Sequence, residues 1–168
     1  MRAADMLRPL LNSQHKSESV FSAHIASAIM APQNKLAILM MWKDEQMIKV
    51  ITGDPGSGKT ALLTEYQQYL RTAGVPDDRI VSINFGTLKL LPNYHILYES
   101  IKARLDPNDT TYILLDEVQL VPGFEKVIAS LFVKPSVDIY ISGDKAQLLG
   151  GEDATLLSGR YVEIRMDP

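Results

Sequence analysis

The chain has 168 residues, a length that suits one compact domain and is short for two full-sized ones. Its composition, with 46% hydrophobic and 22% charged residues, is typical of a globular protein and excludes disordered, fibrous and collagen-like classes. The absence of cysteine excludes a disulfide scaffold and a thiolate zinc site, and the net charge of −3 gives no sign of a nucleic-acid or anionic-membrane binder.

The sequence also lacks the signals of membrane insertion and export. No stretch approaches the roughly 18 to 20 consecutive apolar residues that span a bilayer. Charged side chains such as Asp5, Arg8 and Lys16 interrupt the beginning of the chain, where a secretory signal would need a continuous apolar run. We therefore expect a cytoplasmic protein without membrane contact.

The chain begins with helical patterns. Residues 3–11, 19–30 and 33–43 each predict a helix bounded by turn-forming residues. We assign residues 1–35 to an N-terminal helical extension that packs on the following domain, residues 36–168. A segment that docks a partner is the alternative for the extension.

From about residue 47, short β-branched runs alternate with helical patterns. The predicted strands are residues 47–52, 80–85, 112–116, 137–142 and 161–165. Helical spacing fills the first three intervals, which end at Gly74, Pro107 and Pro135. This alternation predicts an α/β fold of three layers, with a five-stranded, mostly parallel sheet, right-handed crossovers and helices on both faces.

A glycine-rich loop lies between the first predicted strand and the helix after it. Its residues match G-x-x-x-x-G-K-[ST], the Walker A pattern of P-loop NTPases: Gly53, Asp54, Pro55, Gly56, Ser57, Gly58, Lys59 and Thr60. Small residues let the backbone N–H groups fold around a polyphosphate, and the helix adds its positive dipole end. We expect these residues and Ala61 to bind the nucleotide, with Lys59 on the β- and γ-phosphates and the Thr60 hydroxyl on Mg²⁺.

A second acidic motif ends the third predicted strand, where residues 112–115 are followed by Asp116 and Glu117, as in a Walker B strand. We expect Asp116 to hold Mg²⁺ in its outer sphere and Glu117 to polarise the attacking water. Fifty-seven residues separate Lys59 from Asp116, which is enough for an intervening strand. The spacing therefore predicts the strand order 5-1-4-3-2.

The base is predicted to be adenine, because the guanine-reading pattern Asn-Lys-x-Asp is absent. In P-loop ATPases the base often lies against the segment before the first strand, so Trp42 is a candidate contact. A core position for Trp42 is the alternative.

Several short segments carry a family resemblance. They are Trp42-Lys43-Asp44, Ile48-Lys49-Val50-Ile51-Thr52-Gly53, Ser82-Ile83-Asn84-Phe85, Leu115-Asp116-Glu117-Val118-Gln119, Val121-Pro122 and Ser158-Gly159-Arg160-Tyr161-Val162-Glu163-Ile164. Together they resemble the prokaryotic AAA-superfamily ATPases in which an ATPase core is followed by a DUF4143 C-terminal region. The resemblance covers roughly residues 36–168 and implies an AAA-type, Mg-dependent ATPase core that often forms rings, with the family's C-terminal region absent.

Arg160 matches the Gly-Arg-Tyr of these relatives. The resemblance implies a guanidinium that neutralises charge on the γ-phosphate, from the same chain or from a neighbouring copy in a homo-oligomer. A surface arginine at the start of a strand is the alternative.

The chain differs from these relatives at Gly86, where they often carry an acidic residue, and at Asp144 and Lys145, where they present a polar sensor of the γ-phosphate. The difference at Asp144 and Lys145 favours an alternative function, a nucleotide-gated binding module that holds ATP or ADP with little or no turnover. A small-molecule phosphotransferase ranks last, because the seven arginines do not cluster into a lid. The sequence assigns no protein partner.

Overall fold

A computed structural model describes residues 34–166, and the chain divides into two compact units between Lys43 and Asp44. In the first unit, α1 (Lys35–Trp42) confirms the third predicted helix, and the Asn34 side chain caps it by accepting a hydrogen bond from the Ala37 amide. The predicted helices at residues 3–11 and 19–30 lie outside the described residues. The division between residues 35 and 36 stays a prediction.

The second unit alternates strands and helices. Its strands are β1 (Ile48–Thr52), β2 (Ile80–Asn84), β3 (Thr111–Asp116), β4 (Val137–Gly143) and β5 (Tyr161–Arg165). Its α-helices are α2 (Lys59–Thr72), α3 (Tyr94–Lys102), α4 (Phe124–Phe132) and α5 (Lys145–Leu149), and short 3₁₀ turns occupy Asp77–Arg79, Phe85–Thr87, Val118–Leu120 and Glu152–Leu157. Among residues 34–166, no helix is both long and apolar enough to cross a membrane.

All five strands are parallel and lie in the order β2-β3-β4-β1-β5. Read from the other edge this is 5-1-4-3-2, so the predicted order is confirmed. The register places Thr52 opposite both Gly143 of β4 and Arg165 of β5. The carboxyl ends of β1, β4 and β5 therefore meet at one edge of the sheet, where ligands of open α/β sheets bind.

The two faces of the sheet differ in chemistry. One face packs against α3 and α4 through a continuous apolar core, to which every strand but β5 contributes fully buried side chains. The other face carries a buried polar network. There, the Lys49 ammonium lies 2.6 Å from a carboxylate oxygen of Asp138, and the Tyr140 hydroxyl donates to that carboxylate at 2.8 Å.

Burial shapes the electrostatics of this network. The hydroxyl of Tyr66, on α2, is hydrogen-bonded to that of Tyr140, and both side chains are fully buried. Removal from water lowers the pKa of Lys49 and raises the pKa of Asp138, while burial and the Asp138 charge raise the pKa of both tyrosines above the ordinary range. The network is thus a set of paired groups in a dry environment.

Candidate functional site

The phosphate loop joins β1 to α2 at the carboxyl edge of the sheet. Gly56 and Gly58 have φ angles of +81° and +97°, a left-handed backbone that glycine adopts without strain. Gly53 is closely covered, because a Cβ there would collide with the Ser57 hydroxyl and lie 3.0 Å from the Met166 Cβ. The loop tip, with Asp54, Pro55 and Gly56, is exposed. Three glycines thus provide the turns and the close packing that this loop shape needs.

Lys59 begins α2 and is almost fully buried. Its ammonium donates hydrogen bonds to the carbonyl oxygens of Gly53 at 2.6 Å and Asp54 at 3.0 Å. The same nitrogen lies 3.7 Å from Oε1 of Glu117. The cation is therefore held inside the loop, next to the acidic motif.

Asp116 ends β3 and joins three segments of the chain. Its Oδ2 accepts a hydrogen bond from the Thr60 hydroxyl at 2.6 Å, and its Oδ1 accepts one from the Ser142 hydroxyl. Ser142 in turn accepts from the backbone amide of Glu117 at 3.1 Å. The predicted metal ligands Thr60 and Asp116 are thus in direct contact, and Ser142 completes a contact that the sequence analysis did not foresee.

Glu117 adopts a left-handed conformation with a φ of +56°, which is uncommon for a residue with a side chain. This backbone turns the carboxylate away from the end of β3 toward Lys59, and Oε2 accepts a hydrogen bond from the Gln119 amide at 2.6 Å. The Glu117 side chain keeps 30% of its surface exposed. It is therefore accessible from the phosphate loop.

Some buried side-chain atoms of the described residues have no hydrogen-bond partner. They include the hydroxyls of Thr52 and Ser57 at the phosphate loop and Oε1 of Gln119 beside Glu117. Buried polar atoms of this kind usually find a partner, since each unpaired group costs about 1–3 kcal/mol. All three lie at the candidate site, which is what a site built for a polar ligand would show.

A phosphate loop followed by Lys59 and Thr60, with a strand-end aspartate bonded to that threonine, is the arrangement of a P-loop NTPase. Comparison with protein families agrees: the AAA_14 model, described as AAA domain, matches residues 45–168. The chain belongs to the AAA domain family. Its nucleotide-binding role is accordingly of the P-loop ATPase type.

Two curated relatives of this AAA domain are uncharacterized proteins. One, from Haemophilus influenzae, is 37% identical over 147 residues, covering 86% of this chain and 37% of the relative. The other, from Methanocaldococcus jannaschii, is 28% identical over 126 residues, covering 72% of this chain and 26% of the relative. The AAA domain therefore spans well under half the length of both relatives.

Solved structures show the same fold at low sequence identity. A chain in the structure of Drosophila ORC bound to AT-rich DNA and Cdc6 matches with a TM-score of 0.55 at 13% identity, covering 92% of this chain and 62% of that one. The structure of C. elegans PCH-2 matches with a TM-score of 0.50 at 18% identity, covering 89% and 41%. At such identities the likeness shows the fold alone.

Arg160 is the one predicted catalytic residue that the structure does not bring to the phosphate loop. It precedes β5 at the amino edge of the sheet, where its carbonyl accepts from the Ile48 amide at 2.7 Å. Its guanidinium lies 5.7 Å from the ring centroid of Phe132. The length of β1, roughly 16 Å at about 3.3 Å per residue, separates this position from the loop. A role of Arg160 at its own γ-phosphate is therefore not supported by the geometry.

Another arginine does reach the site. Arg165 ends β5, and together with Lys145 and Asp144 it lines a cavity of about 220 Å³ next to the start of the phosphate loop. Oε1 of Glu163 lies 3.1 Å from Nζ of Lys145 and 3.3 Å from Nη2 of Arg165. The sequence analysis missed this charged cluster, although the predicted strand order already placed the end of the fifth strand beside the loop.

A larger cavity lies elsewhere. It measures about 580 Å³ and opens at the opposite edge of the sheet, around Met47, Val133 and Pro135. No phosphate-loop residue lines it. We therefore place the functional site at the loop, where the charged and unpartnered groups converge, and not at this larger cavity.

Proposed function

We propose that this AAA domain binds Mg-ATP at the phosphate loop and hydrolyses it to ADP and phosphate. The observation that carries the proposal is the contact between Thr60 and Asp116, with the buried Lys59 ammonium beside it. These are the three groups that an Mg-nucleotide needs: a hydroxyl for the metal, a carboxylate behind it and a cation for the phosphates.

The residues present fit a magnesium-bound polyphosphate. Within residues 34–166, no group of three or more acidic or histidine side chains could hold a metal by itself. This agrees with Mg²⁺, which is usually bound through one or two carboxylates together with substrate phosphates. The Thr60 hydroxyl would ligate the ion and Asp116 would hold its outer sphere. Bound Mg²⁺ neutralises charge on the phosphate oxygens.

Side chains of this domain would contact the phosphates and accept the proton of the attacking water. Lys59 would exchange the carbonyl oxygens of Gly53 and Asp54 for phosphate oxygens, and the unpartnered Ser57 hydroxyl offers a further polar contact in the loop. The Glu117 carboxylate would accept a proton from the attacking water. Adenine is the proposed base, and the contribution of Trp42 to its recognition stays a prediction.

A nucleotide-gated binding module with little or no turnover is the second candidate. The observation in its favour is that the Glu117 carboxylate is engaged on both oxygens, by Lys59 at 3.7 Å and by Gln119 at 2.6 Å. Single-turnover measurement of phosphate release distinguishes the two candidates, because a binding module would retain ATP unhydrolysed.

The proposed binding is tested by thermal denaturation with and without Mg-ATP. At a hundredfold excess over Kd, binding stabilises the folded state by about 2.7 kcal/mol, which corresponds to a rise in Tm of roughly 5–11 °C. Lys59→Met should lose most of this rise, whereas Lys102→Met, at an exposed lysine of α3, should keep it. An absent shift in the wild type with millimolar Mg-ATP, or an equal shift in the Lys59 variant, contradicts the assignment.

We further propose that this domain is the ATPase core of a prokaryotic protein of the kind that continues into a DUF4143 C-terminal region, that it acts in the cytoplasm and that it forms homo-oligomers. The occurrence of longer relatives in Haemophilus influenzae and Methanocaldococcus jannaschii supports the first part. Light scattering of the nucleotide-bound domain beside a longer chain tests the oligomeric state.

A further inference from the structure

The two oxygens of the Glu117 carboxylate have different partners. Oε1 lies 3.7 Å from the Lys59 ammonium, and Oε2 accepts a hydrogen bond from Nε2 of Gln119 at 2.6 Å. Gln119 follows Glu117 closely in the chain, in the 3₁₀ turn Val118–Leu120. One side of the carboxylate therefore faces the phosphate loop, while the other is tied to a neutral amide.

The Gln119 amide has little freedom to move. It lies against the end of β4, where a Cβ on Gly143 would collide with its Oε1 and come within 2.8 Å of its Cδ. The glycine thus leaves room for the amide, and that Oε1 is buried without a partner. With Nε2 committed to Glu117 and Oε1 enclosed by Gly143, the side chain is a rigid support for the carboxylate.

We infer that Gln119 is a positioning residue for Glu117, and this inference rests on the proposed function. When Lys59 turns to a phosphate, Oε1 loses its cation while Oε2 remains held by Gln119. Oε1 is then the oxygen that faces the loop and accepts a proton from water. The water oxygen forms a bond to the γ-phosphorus, the bond from phosphorus to the β–γ bridging oxygen breaks, and the electron pair leaves with ADP.

The chemistry explains why an amide suits this position. A neutral donor orients a carboxylate without competing for the proton that the carboxylate must accept. A lysine would instead hold it as a tight ion pair. Gln119 therefore affects turnover through Glu117 and should make no contribution to nucleotide affinity.

The test compares turnover with binding in two variants of nearly unchanged size. Gln119→Met removes the donor, and Gln119→Glu removes it while adding a like charge beside Glu117. Turnover should fall about 10- to 100-fold, which is part of the roughly 100- to 10,000-fold that a general base contributes, because Glu117 itself remains in place. The Kd for Mg-ATP should stay within about twofold of the wild type. Gln147→Met, at an exposed glutamine of α5, is the matched control and should leave both quantities unchanged.

A double-mutant cycle separates positioning from a general structural effect. Gln119→Met added to Glu117→Gln should slow single-turnover hydrolysis no further, because the residue acts only through the Glu117 carboxylate. Gly143→Ala, which would displace the Gln119 amide, should lower turnover as Gln119→Met does. In the Glu117→Gln variant it should slow hydrolysis no further.

Three outcomes overturn the inference. They are additive losses in the cycle, wild-type turnover in both Gln119 variants, and a loss of Mg-ATP affinity that accounts for the slower turnover. A wild-type protein that binds Mg-ATP but releases no phosphate overturns the proposed hydrolysis as well. A wild-type protein that fails to bind Mg-ATP overturns the proposed function at its first step.

Discussion

Asp116 shows how much of the site depends on a single side chain. Its two oxygens accept hydrogen bonds from Thr60, at the start of α2, and from Ser142, near the end of β4. Both hydroxyls donate to it, so each carboxylate oxygen has one hydroxyl partner. Its charge is therefore held behind the Thr60 hydroxyl, where the proposed function requires an outer-sphere partner of Mg²⁺.

The first residue-scale prediction concerns that charge. Asp116→Asn should reduce the factor by which Mg²⁺ strengthens ATP binding by about 10- to 100-fold. A loss of metal affinity of this size is usual when a group that orients metal ligands is removed. Glu117→Gln, the matched change one residue along, should leave the Mg²⁺ dependence unchanged and slow hydrolysis. Calorimetric titration of each variant with ATP, once with Mg²⁺ and once with a chelator, measures the Mg²⁺ dependence, and phosphate release measures hydrolysis. Equal effects of the two changes on binding contradict the division of roles.

At the scale of strands and helices, the buried Lys49–Asp138 pair links β1 to β4 below the phosphate loop. Removing one partner of such a pair leaves the other charge buried and uncompensated, which typically costs 3–5 kcal/mol. We expect about this loss in the free energy of unfolding for Lys49→Met. Urea denaturation measures it.

The double variant Lys49→Met/Asp138→Asn is the control for that loss. The neutral amide oxygen can still accept the hydrogen bonds that Asp138 receives from the Asp44 amide and the Tyr140 hydroxyl. The double variant should therefore be more stable than Lys49→Met alone. If it is less stable by the sum of two independent losses, charge burial is not the cause.

The tyrosine pair gives a pH-dependent prediction for the same elements. Burial raises the pKa of Tyr66 and Tyr140, so both stay protonated in the folded protein while unfolded tyrosines ionise near pH 10. Stability is therefore intact below about pH 10 and falls above it, by about 1.4 kcal/mol per pH unit for each tyrosine. In Tyr66→Phe the free energy of unfolding should fall less steeply above pH 10, by about 1.4 kcal/mol per pH unit. Urea denaturation between about pH 9 and 11.5 measures this slope. An unchanged slope contradicts it.

The sequence was sufficient for the strands because their signals are local. The β-branched runs place all five strands within about a residue of their observed ends, and the spacing between Lys59 and Asp116 leads to the correct strand order. In the chain β2 lies between the two motif strands, whereas in the sheet β4 lies between them, as the connectivity of P-loop folds predicts. Contacts between elements distant in sequence carry no such local signal.

Three features of the site illustrate that limit. Lys49 is the charged residue of β1, of a type that usually faces solvent, yet it is fully buried against Asp138. Ser142 contacts Asp116, and Gln119 packs against Gly143, because β3 and β4 are neighbours. The sequence analysis selected Arg160 because it matches a family pattern. The strand register places Arg165, not Arg160, opposite Thr52 at the start of the loop. The catalytic and binding roles of the named residues stay predictions.

At the scale of the whole molecule, Arg160 lies at the far end of β5 from its own phosphate loop, and a role at the site of a neighbouring copy stays a prediction. If it acts between copies, ATPase activity per chain should rise with protein concentration. Mixing Arg160→Ala with Lys59→Met chains should then restore part of the activity, because each supplies the group that the other lacks. Constant activity per chain together with an inactive mixture contradicts the role between copies, and unchanged turnover of Arg160→Ala alone leaves it a surface residue.

The strand order has a consequence for how this domain is made. β1, which presents the phosphate loop, pairs with β4 and β5 and with no other described strand, and both follow residue 136. During synthesis, β1 and its loop cannot enter a sheet until β4 has left the ribosome, whereas β2 and β3 can pair sooner. An unpaired apolar strand is open to wrong partners for that interval. The nucleotide site is thus among the last parts of the domain to mature, and the nascent chain is most exposed to aggregation before β4 is complete.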